Sequence, residues 1–214
     1  MTEHITMNTV IHAAFRRDLA RFDTALASFP DGSQERADQL VTAWDNYQHQ
    51  LHHHHEDEET IFWPAFRELG ADEAVTSDLG GEHAQMLSAL DHADEVVRRL
   101  SGDPSSARAA NARAAIGELG EVLREHLAHE EANLEPWVAT VRGTPRMKQA
   151  LVAVRKAHQG GAGTFVAWLL DGAEPDDVTG LKQEMPPPVV AFLNAVPGRH
   201  YRKNIATVWT AGAG

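Results

Sequence analysis

Cysteine is absent from the 214-residue chain. Thiol catalysis, disulfides, thiolate-held zinc and iron–sulfur clusters are therefore excluded. Positive charge is in short supply: 19 Lys and Arg face 31 Asp and Glu, for a formal net charge of −12. That balance argues against nucleic acid or an anionic membrane surface as a partner. No apolar stretch approaches the roughly 20 residues that span a bilayer. Alternating apolar and polar runs are scarce, so strands are not expected. The start, Met1-Thr2-Glu3-His4, lacks the basic region and apolar core of a secretory signal. The expectation is a soluble cytoplasmic protein, a monomer or homodimer, with neither nucleic acid nor membrane as partner.

Histidine is what the chain has in abundance, with 13, four of them consecutive at His52 to His55. A pattern, His-x3-Glu-x5-Pro, occurs twice: His54, Glu58 and Pro64, then His126, Glu130 and Pro136. A histidine and a glutamate four apart on a helix lie on one face, one turn apart. Two such pairs on facing helices could supply nitrogen and oxygen ligands to a pair of metal ions.

The hydrophobic fraction of 43% fits a globular chain, and its apolar residues recur at helical spacing. Near 7–29 the seam reads His12, Phe15, Leu19, Phe22, Leu26 and Phe29, and Pro30-Asp31-Gly32 ends it. Near 34–69 it reads Leu40, Trp44, Tyr47, Leu51, His54, Glu58, Ile61 and Ala65. Near 73–101 it reads Leu79, His83, Met86, Leu90, Ala93, Val97 and Leu100. Near 105–141 it reads Ile116, Leu119, Leu123, His126, Glu130, Asn133 and Trp137. Such seams predict an all-α fold, an up-down-up-down four-helix bundle. The bundle is expected over 1–143, with a helical C-terminal extension over 144–214 packed on it.

Each seam is interrupted by ligand-type residues: His12, then His54 and Glu58, then His83, then His126 and Glu130. Ionised carboxylates in a core are costly unless paired or coordinated. A lone seam histidine such as His12 is ordinarily a hydrogen-bonded core histidine. Two matched His-x3-Glu copies, with one further histidine on each remaining seam, point instead to a dinuclear site. Pro64 and Pro136 are read as kinks or helix ends, without chemistry.

These residues, and the segments running from His54 to Pro64 and from His126 to Pro136, resemble the hemerythrin-like, or HHE cation-binding, family. The resemblance covers roughly residues 7–141. It implies a four-helix bundle with a non-haem di-iron centre, two iron ions joined by an oxo or hydroxo bridge and held by His12, His54, Glu58, His83, His126 and Glu130. One departure stands out. Oxygen-carrying members have two histidines four apart on the third helix, whereas here Leu87 stands four after His83. With four histidines and two bridging glutamates, about two of roughly twelve coordination positions would stay open. Tyr47, two turns before His54, is a candidate extra ligand; the alternative is a tyrosine hydrogen-bonded within the bundle.

His52, His53 and His55 are expected to point away from the seam, onto a solvated face with adventitious metal affinity. Glu59 and Glu131 follow the two glutamate ligands and either support the site or lie on the surface. Residues 145–171 read as a helix bent at Gly160-Gly161 and Gly163, 171–184 as a loop, the stretch after Pro188 as a short helix and 199–209 as a last helix. Gly117 and Gly120 are read as marking close approach by another helix.

The expected function is binding of, and reaction with, small oxidants or gases: hydrogen peroxide, oxygen and nitric oxide, including catalase-like peroxide removal. No catalytic residue is assigned beyond the metal site. The alternatives are an oxygen or iron carrier or sensor without turnover, and a structural site for zinc, which takes four ligands rather than six.

Overall fold

The computed structural model describes residues 5–210. Met1 to His4, where no signal segment was read, and the last four residues lie outside the described residues. The elements are α1 (Met7–Ala27), α2 (Gln34–Asp57), a π-helical turn (Glu58–Phe62), α3 (Trp63–Glu68), α4 (Glu73–Gly102) and α5 (Ser106–Asn133). They continue with α6 (Glu135–Val141), α7 (Pro145–Ala157), α8 (Ala162–Leu170), α9 (Pro175–Glu184), α10 (Pro187–Ala195), α11 (Arg199–Asn204) and a 3-10 turn (Ala206–Trp209). The fold is all-α, with no strand among the described residues.

The four long helices start where the sequence supplies caps. Thr6 forms a capping box with Thr9, and the side chains of Ser33, Asp72 and Ser105 accept from the backbone N–H of Arg36, Ala74 and Arg108. Each such cap is worth about 1 kcal/mol. Gly70, at φ 91°, turns the chain after α3 in a left-handed conformation that other residues adopt only under strain.

One apolar cluster runs through the bundle. It includes Phe15, Leu19 and Phe22 of α1, Leu40, Trp44 and Leu51 of α2, Met86 and Leu90 of α4, and Leu119 and Leu123 of α5. Burying each such side chain contributes about 2 kcal/mol. α4 packs on α5, α1 on α5 and α2 on α4. A smaller cluster of Trp63, Phe66, Leu79, Leu134 and Met147 closes the end near the histidines.

Two predicted helices are broken where the His-x3-Glu-x5-Pro copies end. The second widens into a π turn at Glu58, whose carbonyl accepts from the N–H of Trp63, five residues on. Pro64 follows within the first turn of α3 and has no N–H to give back to Thr60. The fourth stops at Asn133, and α6 restarts with Pro136 in its first turn. Single-turn π bulges are common at functional sites, and here the widened turn begins with a ligand candidate.

The expected loop over 171–184 is a helix for most of its length. Pro175 opens α9, Asp176 and Asp177 occupy its first turn and Lys182 its last, an arrangement suited to the helix dipole. The C-terminal helices pack on the bundle, α8 and α9 against α1 and the 3-10 turn against α2. The indole N–H of Trp168 donates to the buried carboxylate of Asp18 at 2.7 Å. Gly117 and Gly120 do not mark this contact. Gly117 faces open space, and Gly120 is approached by Leu19 of α1. The close approach falls at Gly180 of α9, where a Cβ would overlap Ile5 and press on Val10. No described helix is long and apolar enough to cross a membrane.

Candidate metal centre

Seven side chains converge inside the bundle. His12 comes from α1, His54 and His55 from α2, Glu58 from the first residue of the π turn, His83 from α4, and His126 and Glu130 from α5. They form two groups that share Glu58. One is His12, His54, Glu58 and Glu130; the other is His55, Glu58, His83 and His126. Within each group the ligand-type atoms lie within 4.8 Å of one another. Glu58 faces both ways: Oε1 is 3.4 Å from His54 Nε2, and Oε2 is 3.4 Å from His83 Nε2. Across the first group His12 Nε2 is 3.3 Å from Glu130 Oε2. Across the second, the Nε2 atoms of His83 and His126 are 3.3 Å apart.

The inward atoms are orphaned. His12 Nε2, His54 Nε2, His55 Nε2, both oxygens of Glu58 and Glu130 Oε2 are buried without a hydrogen-bond partner. Close pairs such as His12 and Glu130 therefore meet without the alignment of a hydrogen bond. A buried polar atom left unsatisfied costs about 1–3 kcal/mol, more when charged. A cation in each group, with Glu58 shared between them, would satisfy all six. The donor set, imidazole nitrogen and carboxylate oxygen with no sulfur, suits iron in a six-coordinate setting.

The outward nitrogens are held by carboxylates. His12 Nδ1 donates to Glu131 Oε1 at 2.8 Å, and Arg16 grips both oxygens of Glu131 at 2.8 and 2.9 Å. His83 Nδ1 donates to Glu59 Oε1 at 2.9 Å. His126 Nδ1 donates to Glu82 Oε2 at 2.9 Å, and His129 Nδ1 donates to the other oxygen of Glu82 at 2.6 Å. These contacts fix each ring with Nε2 turned inward and make it a better donor to a metal. Trp63 stacks on His83, with ring centres 4.6 Å apart.

The charges inside are in conflict without a cation. Burial and the facing Glu130 push the Glu58 carboxyl well above the ordinary range. Burial would push Glu130 up as well, but His12 holds it far below. Burial alone would lower His12, yet Glu130 and Glu131 lift it to about 9. Burial and the charge of His12 take His54 down to about 3. Without a cation, His12 and Glu58 are thus pushed toward holding a proton, and Glu130 and His54 toward releasing one.

The six seam residues read from the sequence are brought together. His55, expected on the solvated face, is not on it: it is 4% exposed and completes the second group. It stands three residues before Glu58 while His54 stands four before, so both share the glutamate's face. Leu87, where a further histidine was missed, is 38% exposed. Tyr47 is fully buried, stacked on Trp44 and edge-on to Phe15, and its hydroxyl has no hydrogen-bond partner. The alternative of a hydrogen-bonded tyrosine is therefore not met. Burial, then the charge of Asp18, raises its hydroxyl well above the ordinary value. Glu82 was missed, although the repeated adjacency of an acid to a ligand candidate at Glu59 and Glu131 was a signal for it.

The family model for the hemerythrin HHE cation-binding domain matches residues 5–138. No match was found among curated proteins or among solved structures.

Proposed function

The chain belongs to the hemerythrin HHE cation-binding family, and we propose that its paired site holds two non-haem iron ions joined by an oxo or hydroxo bridge and reacts with small oxidants, hydrogen peroxide first among them. The observation that supports this most is Glu58, one buried carboxylate whose two unpartnered oxygens face two separate groups of histidines. A single ion needs no such shared carboxylate, and a four-coordinate zinc site does not use so many converging donors.

When bound, the iron pair supplies redox chemistry that no side chain of this cysteine-free protein can supply. The protein's part is to bind, orient and shield. Glu131, Glu59 and Glu82 keep Nε2 of His12, His83 and His126 pointing inward. Asn8 donates to Glu130 Oε1 at 3.0 Å and leaves Oε2 toward His12. Trp63, Leu79 and Phe66 keep bulk water from that end. Glu135 accepts from Thr6 at 3.1 Å, and burial raises its carboxyl. It is a further buried acid whose charge is felt by Glu58 and Glu130.

His55 also favours a second reading. With five imidazoles, Glu58 shared by both groups, one oxygen of Glu130 and a bridging oxygen, about ten of roughly twelve positions would be filled. His55 thus takes the place, on the His83 and His126 side, that a bridging Glu130 would have filled, and about two positions stay open. A centre with five imidazoles suits reversible oxygen or iron carriage as well as turnover.

Oxygen evolution after peroxide is added to iron-loaded protein separates the two. Steady evolution that falls at least tenfold in His12→Ala supports turnover at this site. A reversible spectral change on oxygen removal, with no evolution, selects carriage. Metal analysis comes first: about two irons per chain is expected, and protein that takes up no iron would sink both readings.

A further inference from the structure

The four-histidine run does not end at His54 and His55. On the other side of α2, His53 and Asp57 are four apart and so share a face. α7 packs against the π turn there and brings His158, the residue that closes its C-terminus. His158 Nε2 is 2.9 Å from both oxygens of Asp57, centred on the carboxylate. The His53 ring centre is 4.7 Å from that of His158, edge to face at 72°. His49, one turn earlier, packs edge-on to His53 at 4.3 Å. Nδ1 of His53 is buried and has no hydrogen-bond partner, though Glu56 lies 3.4 Å away. None of these residues belongs to the two buried groups.

We propose that His53, Asp57 and His158 form a separate site for one divalent ion of the zinc class, clipping α7 to α2 beside the π turn. Two imidazoles and a carboxylate are zinc donors, and water completes a tetrahedral set. His49 orients His53 as the edge-on neighbour. The ligand-type atoms of the buried groups already converge; this outer set is open. Closing it requires His53 to turn toward the Asp57–His158 pair. The side chains of His53 and His158 are 34% and 28% exposed, which leaves them room to move and the ion a way in. The site draws nothing from the iron reading, and it would act by holding the C-terminal extension against the turn that carries Glu58.

The test is a zinc titration of the full-length protein after its resident metal has been loaded and counted. Equilibrium dialysis with metal analysis should find about one additional zinc per chain, accompanied by a rise in Tm. In His53→Ala/His158→Ala the additional zinc should bind at least tenfold more weakly and the rise in Tm should vanish, with resident metal content and visible spectrum unchanged. His158→Gln, which keeps a polar group at the end of α7, should repeat the result if the double variant folds poorly. No zinc above the resident metal would overturn the proposal. So would additional zinc that survives both variants but is lost in His52→Ala, which would place it on the exposed histidine run.

Discussion

His83 and His126 point Nε2 at Nε2 across 3.3 Å, and each has its other ring nitrogen on a carboxylate, Glu59 for one and Glu82 for the other. With the proton held on Nδ1, both inner nitrogens are bare acceptors, and two acceptors at that distance repel. A cation between them reverses the sign of the interaction. Metal loading should therefore stabilise the fold by about 3 kcal/mol at a hundredfold excess over Kd, on the order of 5–10 °C in Tm for a chain of this size. Thermal unfolding of loaded and chelator-stripped protein measures the difference, and equal values would count against a shared site.

His55 supplies the third imidazole of the second group, whereas exposed His52 supplies none. His55→Ala should weaken one of the two metals at least tenfold, so that the protein retains about one ion per chain after dialysis. His52→Ala should retain both. Metal analysis of the two variants side by side is the check. Equal retention would return His55 to the solvated face on which the sequence pattern had put it.

Metal uptake should release protons. His12, raised to about 9, holds a proton near neutral pH that a ligand must lose, and the upward shift of Glu58 by burial and by Glu130 acts in the same direction. For His12 the folded pKa lies above its ordinary value of 6.5. Its contribution to metal-free stability is therefore complete below that value and is lost as pH rises through about 9. Loading near neutral pH should release at least about one proton per chain, and fewer as pH passes the His12 value. Calorimetry in two buffers of different ionisation heat gives the count, and metal binding without proton release would contradict this electrostatic picture.

The Tyr47 hydroxyl is buried among aromatic rings without a partner. Tyr47→Phe should make the metal-free protein more stable by about 1 kcal/mol, because the substitution removes an unsatisfied polar group and keeps the ring. Chemical denaturation measures this. In loaded protein the same variant decides ligation: a phenolate ligand gives a visible charge-transfer band, which the substitution would abolish.

Much of the centre was legible because helical spacing is a strong constraint. His54 and Glu58, and His126 and Glu130, had to share a face, and their seams had to turn inward with Leu51 and Leu123. The same reasoning failed at His55. A seam drawn on straight-helix spacing has room for one residue per turn, and His54 had taken it. In the fold, the glutamate at the start of the π turn is reached from both His54 and His55. The loop expected over 171–184 failed differently: glycine and acidic residues suggested a turn, while Pro175 and the two aspartates after it were already a helix start.

Local sequence thus determined the all-α class, the helix caps, the apolar seams and six of the seven converging residues, because each depends on spacing within one helix. Tertiary structure decided what depends on which helices meet. It turned His55 inward, set Glu82, Glu59 and Glu131 on the outer nitrogens, and left the oxygens of Glu58 facing two groups at once. It also brought His158 onto Asp57 across 101 residues of chain. Spacing along one helix fixes a face, but a contact between helices is set by packing, and packing is a property of all the seams together.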